Sequence, residues 1–426
     1  MNARAARQNA QVCIGSAALL AGEMAFVRDG RREYSVFAYD RQWLAHPDRF
    51  EVSPDLPLRE GHVTRRAPSA DDSPFPFALA DTEPDAWGRR IVDRAHARRR
   101  QQSPQLPPLS RFDYLAAVDD VSRVGALRLR DAAGQFLRPA DVARATRIVD
   151  LGKMYVAARA VEQGTDTADD LRYLLGKATS LGGLRPKCTL RDEDGSLALA
   201  KFPSVGDARS VTRGEVLALQ LARRAGLDVA PARIAVIDGT PIAVIRRFDR
   251  AEGDARIAYL SAGSLLQARR DEDRAYTEVA DALRRVSASP LEDVRELWCR
   301  LVFNLLISNV DDHLWNLGAL YAGGGQWRLA PAFDLNPFPD RLRESKTWLS
   351  EESGPITSLQ QLLDGAAYFG LDVADAQEIA ARQARAVAAW REVATSQEVG
   401  LGERELETFE PAFEHRDAQA ARALGR

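Results

Sequence analysis

Lysine, histidine and cysteine are all scarce in this chain. Of 58 basic side chains in 426 residues, only five are lysine: Lys153, Lys177, Lys187, Lys201 and Lys346. Arginine bias of this kind has a genomic origin, but it makes each retained lysine informative. Where either cation would serve, this sequence writes arginine, so a kept lysine points to a need for a compact point charge rather than a planar fork. The three cysteines, Cys13, Cys188 and Cys299, are far apart and odd in number, which excludes a disulfide framework and a zinc site. Five histidines, none paired at ligand spacing, argue against a histidine-based metal centre. No window approaches 18 consecutive apolar residues, so no spanning helix is expected. Net charge is −3, so the chain as a whole is no polyelectrolyte binder, although a local basic patch could still meet nucleic acid. Residues 12–21 are apolar, but Glu23 and Arg28 follow without a cleavage pattern, and a cytoplasmic protein is expected.

What is present is ordinary globular composition, 45% apolar and 28% charged, in a length that suggests two or three domains. Residues 33–39 alternate with period two as a half-buried strand does, after a turn signal at 28–31. Residues 85–100 read as a helix with Trp87, Ile91 and Ala95 on one face, and 101–109 as a connector. A short helix at 112–117 and a strand at 125–129 complete a first module. From about residue 150 the pattern becomes helix (166–175), glycine-containing loop, strand (188–190), turn, strand (197–202), helix (215–226), then strands at 232–237 and 241–245 around Asp238 and Gly239. This order is not an alternating βα series, so a doubly wound sheet is not expected. Beyond residue 262 the spacing is helical, notably over 275–286, 291–308 and 371–393.

Six asparagines occur in the chain, and four of them (Asn304, Asn309, Asn316 and Asn336) crowd into one stretch with Asp311, Asp312, His313 and Asp334. Phosphoryl transfer needs an aspartate to orient the acceptor hydroxyl, an asparagine five positions on for magnesium, and a further aspartate on a separate segment for metal and phosphates. Asp311 and Asn316 have the five-residue spacing; Asp312 is one too close, which favours Asp311 as base. Asp334 follows in Phe-Asp-Leu. An amide and a carboxylate suit Mg²⁺, which takes oxygen ligands and keeps water. His313 is a candidate phosphate contact or a bridge between backbone groups. Upstream, Lys201 ends an apolar strand, where a kinase places the lysine for the α/β-phosphates. Glu215, at a helix start, is its candidate ion-pair partner. The loop at 179–187 holds Gly182 and Gly183, which permit close backbone approach to phosphate, and ends in Lys187.

Together these residues resemble the HipA family of serine/threonine kinases, the toxins of HipBA toxin–antitoxin modules. The pattern Ser180-x-Gly-Gly-x-Arg-Pro-Lys187 is similar to the family's phosphate-binding loop, Asp311-Asp-His-x-x-Asn316 to its catalytic loop, and Phe333-Asp334 to its metal-binding segment. Arg247-Phe-Asp-Arg250 is similar to the segment after the hinge. Pro84-Asp-x-Trp-Gly-Arg89 and Val124-Gly-Ala-Leu-Arg128 resemble parts of the N-terminal subdomain. The resemblance implies an α+β, protein-kinase-like two-lobe fold, with a β-rich N-terminal subdomain (1–148), a kinase-like N-lobe carrying the phosphate loop (149–250) and an all-α catalytic C-lobe (251–426). It implies ATP and Mg²⁺ as cofactors, Asp311 as catalytic base, Asn316 and Asp334 as metal ligands, Lys201 as phosphate-binding lysine, and adenine held by backbone near Arg246 and Phe248. It implies autophosphorylation at Ser180, with Thr179 a neighbouring acceptor. It also implies a HipB-like helix-turn-helix antitoxin, operator DNA reached through that antitoxin, and a protein substrate such as an aminoacyl-tRNA synthetase. Two other readings stand beside it. One is a catalytically weak DNA-associated partner, suggested by the basic run Arg89, Arg90, Arg94, Arg98, Arg99 and Arg100. The other is a small-molecule kinase of the same fold.

Overall fold

The computed structural model describes residues 6–30, 32–69, 71–139, 150–177 and 183–424. The chain divides into two compact units. The first comprises Met1–Val205, Asp249–Arg270 and Gly323–Gly325, and the second Gly206–Phe248, Asp271–Ala322 and Gln326–Arg426. No helix among the described residues is long and apolar enough to cross a membrane.

The first unit opens on a five-stranded antiparallel sheet. Strands β1 (Ala6–Ile14), β2 (Leu19–Asp29), β3 (Arg32–Tyr39), β4 (Val63–Arg66) and β5 (Leu127–Arg130) lie in the order β4-β3-β2-β1-β5. Period-two alternation buries Met24 and Phe26 from β2 and Phe37 from β3 on one face. Phe26 packs between Phe75 and Phe112 at centroid distances of 5.7 and 5.8 Å. The helix Ala86–Gln102 starts on Asp85, whose side chain accepts from Gly88 N. The helix expected from residue 166 begins at Ala168 instead, behind a Thr167/Asp170 capping box. Asp166 is buried outside it, between Arg94 and Arg98. A helix at Leu151–Gln163, absent from the sequence reading, precedes it and ends at left-handed Gly164. Strands β6 (Lys187–Arg191) and β7 (Leu197–Lys201) form a hairpin in which Lys187 opposes Lys201.

The second unit carries the hairpin β8 (Ala232–Ile237) and β9 (Thr240–Arg246), turned by Asp238 at φ 48° and Gly239 at φ 77°. Its helix Val211–Arg224 starts a turn before the expected position at Glu215. Gly214 in the first turn reads as a helix breaker, but packing requires it. A Cβ there would sit 2.9 Å from the ring of Phe409, which is itself buried. The region beyond is helical as expected, chiefly Tyr276–Val286, Pro290–Leu306 and Val373–Ala388. Two departures occur. The expected helix 371–393 breaks at Ala389, after which Trp390–Thr395 restarts to stack Trp390 on Phe413 (4.8 Å, 14°). The region is also not all-α, since short strand pairs Gly318–Gly323/Gln326–Leu329 and Trp348–Ser350/Gly354–Pro355 interrupt it. These segments are too brief for a period-two pattern to show.

Helix propensity favours a side chain over glycine at 214 by up to about 1 kcal/mol, whereas overpacking costs about 1–3 kcal/mol. Gly214→Val adds a β-branched overlap against a ring that is itself buried. Urea denaturation should show a stability loss of about 1–3 kcal/mol with an unchanged m-value.

Candidate functional site

The helix Pro290–Leu306 sets up the acidic loop. Pro290 occupies its first turn with Glu292 and Asp293, which favours initiation. Its buried face, including Leu297, Trp298, Leu301 and Leu305, docks it in the second unit. The helix ends at Leu306, and Ser308 turns left-handed at φ 53°, with its Oγ donating to Ala412 O at 3.0 Å. Asn309 then folds back on the helix end. Its N–H donates to Asn304 O at 2.8 Å and its Nδ2 to Asn304 Oδ1 at 3.0 Å. The asparagine cluster seen in the sequence is therefore partly a helix stop.

The two adjacent aspartates have opposite environments. Asp312 is buried. Lys346 N–H donates to its Oδ1 at 2.7 Å, Tyr276 OH lies 2.8 Å from its Oδ2, and Thr347 Oγ1 donates to its carbonyl at 2.9 Å. Burial raises its pKa to about 6 against the pull of these donors. The side chain of Asp311 is one-third exposed, and Lys346 Nζ donates to its Oδ1. The Asp311 carbonyl accepts from Asn316 Nδ2 at 2.9 Å, within the turn closed by the 3₁₀ segment Leu314–Asn316. Asp311 is thus held by its backbone, with its carboxylate able to reach an incoming hydroxyl. Asp312 is held by its side chain. Burial lowers the pKa of His313, favouring neutral imidazole, and its Nδ1 has no protein partner.

Asp334 sits at φ 55°, a conformation uncommon for a non-glycine residue and concentrated at functional sites. Asn336 Nδ2 donates to its Oδ1 at 3.1 Å. Phe333 before it packs on Phe248 at 5.3 Å, which ties the segment after β9 to the Asp334 segment. Asn309, Asp312, His313, Asn316 and Asp334 line one cavity of about 30 Å³, space for a water-sized group. Asn309 Oδ1 is buried there without a hydrogen-bond partner. With Asn316 Nδ2 committed to Asp311, its Oδ1 is the atom left for a cation. An amide oxygen and a carboxylate fit Mg²⁺. No cluster of three or more His, Cys, Asp or Glu suited to a metal occurs among the described residues.

In the first unit, Lys187 and Lys201 are both buried, at 1% and 6% exposure, opposite one another on β6 and β7. Lys187 Nζ donates to Asp85 Oδ2 at 2.7 Å and to Gly183 O at 3.2 Å. Gly182, Ser180 and Thr179 lie outside the described residues. Glu215 is buried within the helix Val211–Arg224 of the second unit, whereas Lys201 belongs to the first. Arg246 ends β9, exposed, its N–H donating to Pro231 O at 2.8 Å. The basic run on the helix Ala86–Gln102 is largely engaged internally. Arg89 bonds Glu83 at 3.1 Å, Arg90 the carbonyls of Val161 and Glu162, and Arg94 and Arg98 pair with Asp166. This runs against the DNA-stripe reading.

Three features escaped the sequence reading. Asp85 bonds Lys187 across 102 residues of sequence and feels the charge of Lys201; its only local sign is its place as an N-cap before Gly88. Lys346 reaches Asp311, and its rarity as a lysine was the one available signal. The post-hinge segment braces the first module. Asp249 accepts from Gly125 N–H at 2.7 Å, and Arg250 donates to the carbonyls of Val121 and Arg123.

Comparison with known proteins places the chain in a family. The HipA-like C-terminal domain family matches residues 179–391, and the HipA N-terminal domain family matches residues 16–130. Y4mE of Sinorhizobium fredii, named as a candidate kinase, is 28% identical over 329 residues, 70% of this chain and 71% of that protein. Among solved structures, the chain is similar to one from the Shewanella oneidensis complex of the toxin–antitoxin proteins HipA and HipB with operator DNA. The TM-score is 0.65 at 17% identity, covering 97% of this chain and 96% of that one. It is also similar to the Helicobacter pylori kinase CtkA, with a TM-score of 0.44 at 15% identity over 57% of this chain and 92% of that one.

Asp312 gives a pH prediction. Its folded pKa of about 6 lies above the ordinary carboxylate value of 3.8, so the folded state holds the proton more tightly and stability falls as pH rises through this window. Asp312→Asn removes the titration, and an amide can still pair with Tyr276. Urea denaturation should show wild type losing about 2 kcal/mol relative to this variant between about pH 4.5 and pH 7.5.

Proposed function

The chain belongs to the HipA family, and on that premise we propose that it is an ATP- and Mg²⁺-dependent serine/threonine protein kinase acting as the toxin of a type II toxin–antitoxin system. The observation that carries the kinase reading is the arrangement of Asp311, Asn316 and Asp334. An exposed carboxylate stands beside an amide and a left-handed aspartate that share one small cavity. Asp311 accepts the proton of the acceptor hydroxyl, and Lys346 is the cation it carries before substrate arrives. Asn316 and Asp334 would hold Mg²⁺, which would supply positive charge to offset that of the phosphates. Lys201 and Lys187, with the backbone of Gly182 and Gly183 and with His313, take the phosphates, and Glu215 orients Lys201. The backbone near Arg246 and Phe248 receives adenine, and packing of Phe248 on Phe333 supports a shared register for the adenine and metal segments.

The family resemblance supports a division into 1–148, 149–250 and 251–426, autophosphorylation at Ser180, a cytoplasmic setting and a synthetase as substrate. The Shewanella complex supports a HipB-like antitoxin as partner, with operator DNA reached through it. Internal engagement of the basic run supports contact with DNA through the antitoxin rather than through that helix. In a radiolabel assay with Mg²⁺ and ATP, Asp311→Asn should lower phosphate transfer to protein by at least about a hundredfold, within the span of general-base losses, while retaining nucleotide binding. Transfer at the wild-type rate would overturn the assignment.

A further inference from the structure

Lys187 has an ammonium group almost wholly removed from water, a state that requires an anion close by. The anion comes from the N-terminal module. Asp85 is 6% exposed at the side chain, and both its oxygens are committed, Oδ1 to Gly88 N–H at 2.7 Å and Oδ2 to Lys187 Nζ at 2.7 Å. The first of these bonds is a helix N-cap, so the carboxylate is anchored to the rigid start of Ala86–Gln102 rather than to a loop. Lys201, the register partner of Lys187 on the neighbouring strand, acts on the same carboxylate. Burial raises the pKa of Asp85, and the two lysines oppose that rise. The carboxylate therefore pairs with one buried cation and lies in the field of a second.

We propose that Asp85 is a positioning residue for the nucleotide, an anion that the N-terminal module supplies to hold Lys187 at the phosphate end of the site. The proposal rests on the kinase reading above, in which Lys187 and Lys201 take the phosphates. It makes the N-terminal module a functional part of nucleotide recognition, in the way that a helix glutamate orients the strand lysine of protein kinases. A carboxylate acting only as a cap would be replaceable by any good capping side chain. One acting through Lys187 would not.

A double-mutant cycle on the full chain tests this, with the affinity for a non-hydrolysable ATP analogue plus Mg²⁺ measured by calorimetry. Asp85→Asn keeps a capping oxygen and removes the charge, and Asp85→Ser does the same with a smaller side chain, so one serves if the other does not fold. Each, and Lys187→Met, should weaken binding about tenfold, and the double variant should bind no worse than Lys187→Met within about twofold, the signature of one shared interaction. Wild-type affinity in a folded Asp85→Asn or Asp85→Ser variant overturns the proposal. So does an additive loss of about a hundredfold in the double variant, which marks Asp85 as acting independently of Lys187. If wild type fails to bind the analogue, the kinase reading falls and this proposal with it. If wild type binds and only the cycle fails, the kinase reading stands.

Discussion

The carboxylate of Asp312 is buried directly behind the carboxylate that faces solvent, and the geometry of the acidic loop depends on that burial. A charge taken out of water needs donors, and here they come from two separate segments: the Tyr276 hydroxyl on one helix and the Lys346 amide, while the neighbouring Thr347 hydroxyl holds the Asp312 carbonyl. Binding all three fixes residues 311–316 between elements far apart in sequence. Asp311 can then point outward, with Asn316 closing the turn against its carbonyl. The strain at Asp334 and the left-handed turn at Ser308 persist because their neighbours are tied down, Asp334 by Asn336 and Ser308 by Ala412.

The first unit obeys the same rule with different partners. Asp166 is buried between Arg94 and Arg98, Asp249 accepts from Gly125 and Arg250, and Arg123 is buried against the carbonyls of Leu115 and Val118. Each of these buried charges links segments that lie apart in sequence or closes a tight local turn. Asp85 and Lys187 make such a link across 102 residues, toward the proposed phosphate end. Short motifs from the two ends of the unit therefore make sense only as pairs: Pro84 to Arg89 with the loop ending at Lys187, and Val124 to Arg128 with Asp249 and Arg250. An arginine-rich chain makes this economical, since a fork satisfies several carbonyls at once. The lysines remain where one compact charge must fit.

Much of the element pattern was legible. The period-two run of β3, the Asp238-Gly239 turn and the helix Pro290–Leu306 follow from local rules that need no neighbours. Where the reading slipped, tertiary packing overrode a local signal. The helix expected from Glu215 starts at Val211, with Gly214 inside it as the close-approach point for Phe409. Asp166 looked like a helix start, yet it is a buried counter-ion. Residues 371–393 carry one unbroken helical spacing, but a break at Ala389 lets Trp390 reach Phe413.

The sequence alone determined the chemistry in view: an aspartate, an asparagine five residues on and a later aspartate, with rare lysines upstream. Spacing along one loop is a local property, and residue type sets what can bind a cation or take a proton. The sequence could not say which of two adjacent aspartates would face water, nor which acid would answer Lys187. Those choices depend on burial and on donors brought from distant segments, and the energy of a charge is decided by what surrounds it in space. Only the folded chain put Tyr276 and the Lys346 amide around Asp312, and only the folded chain brought Asp85 across 102 residues to Lys187.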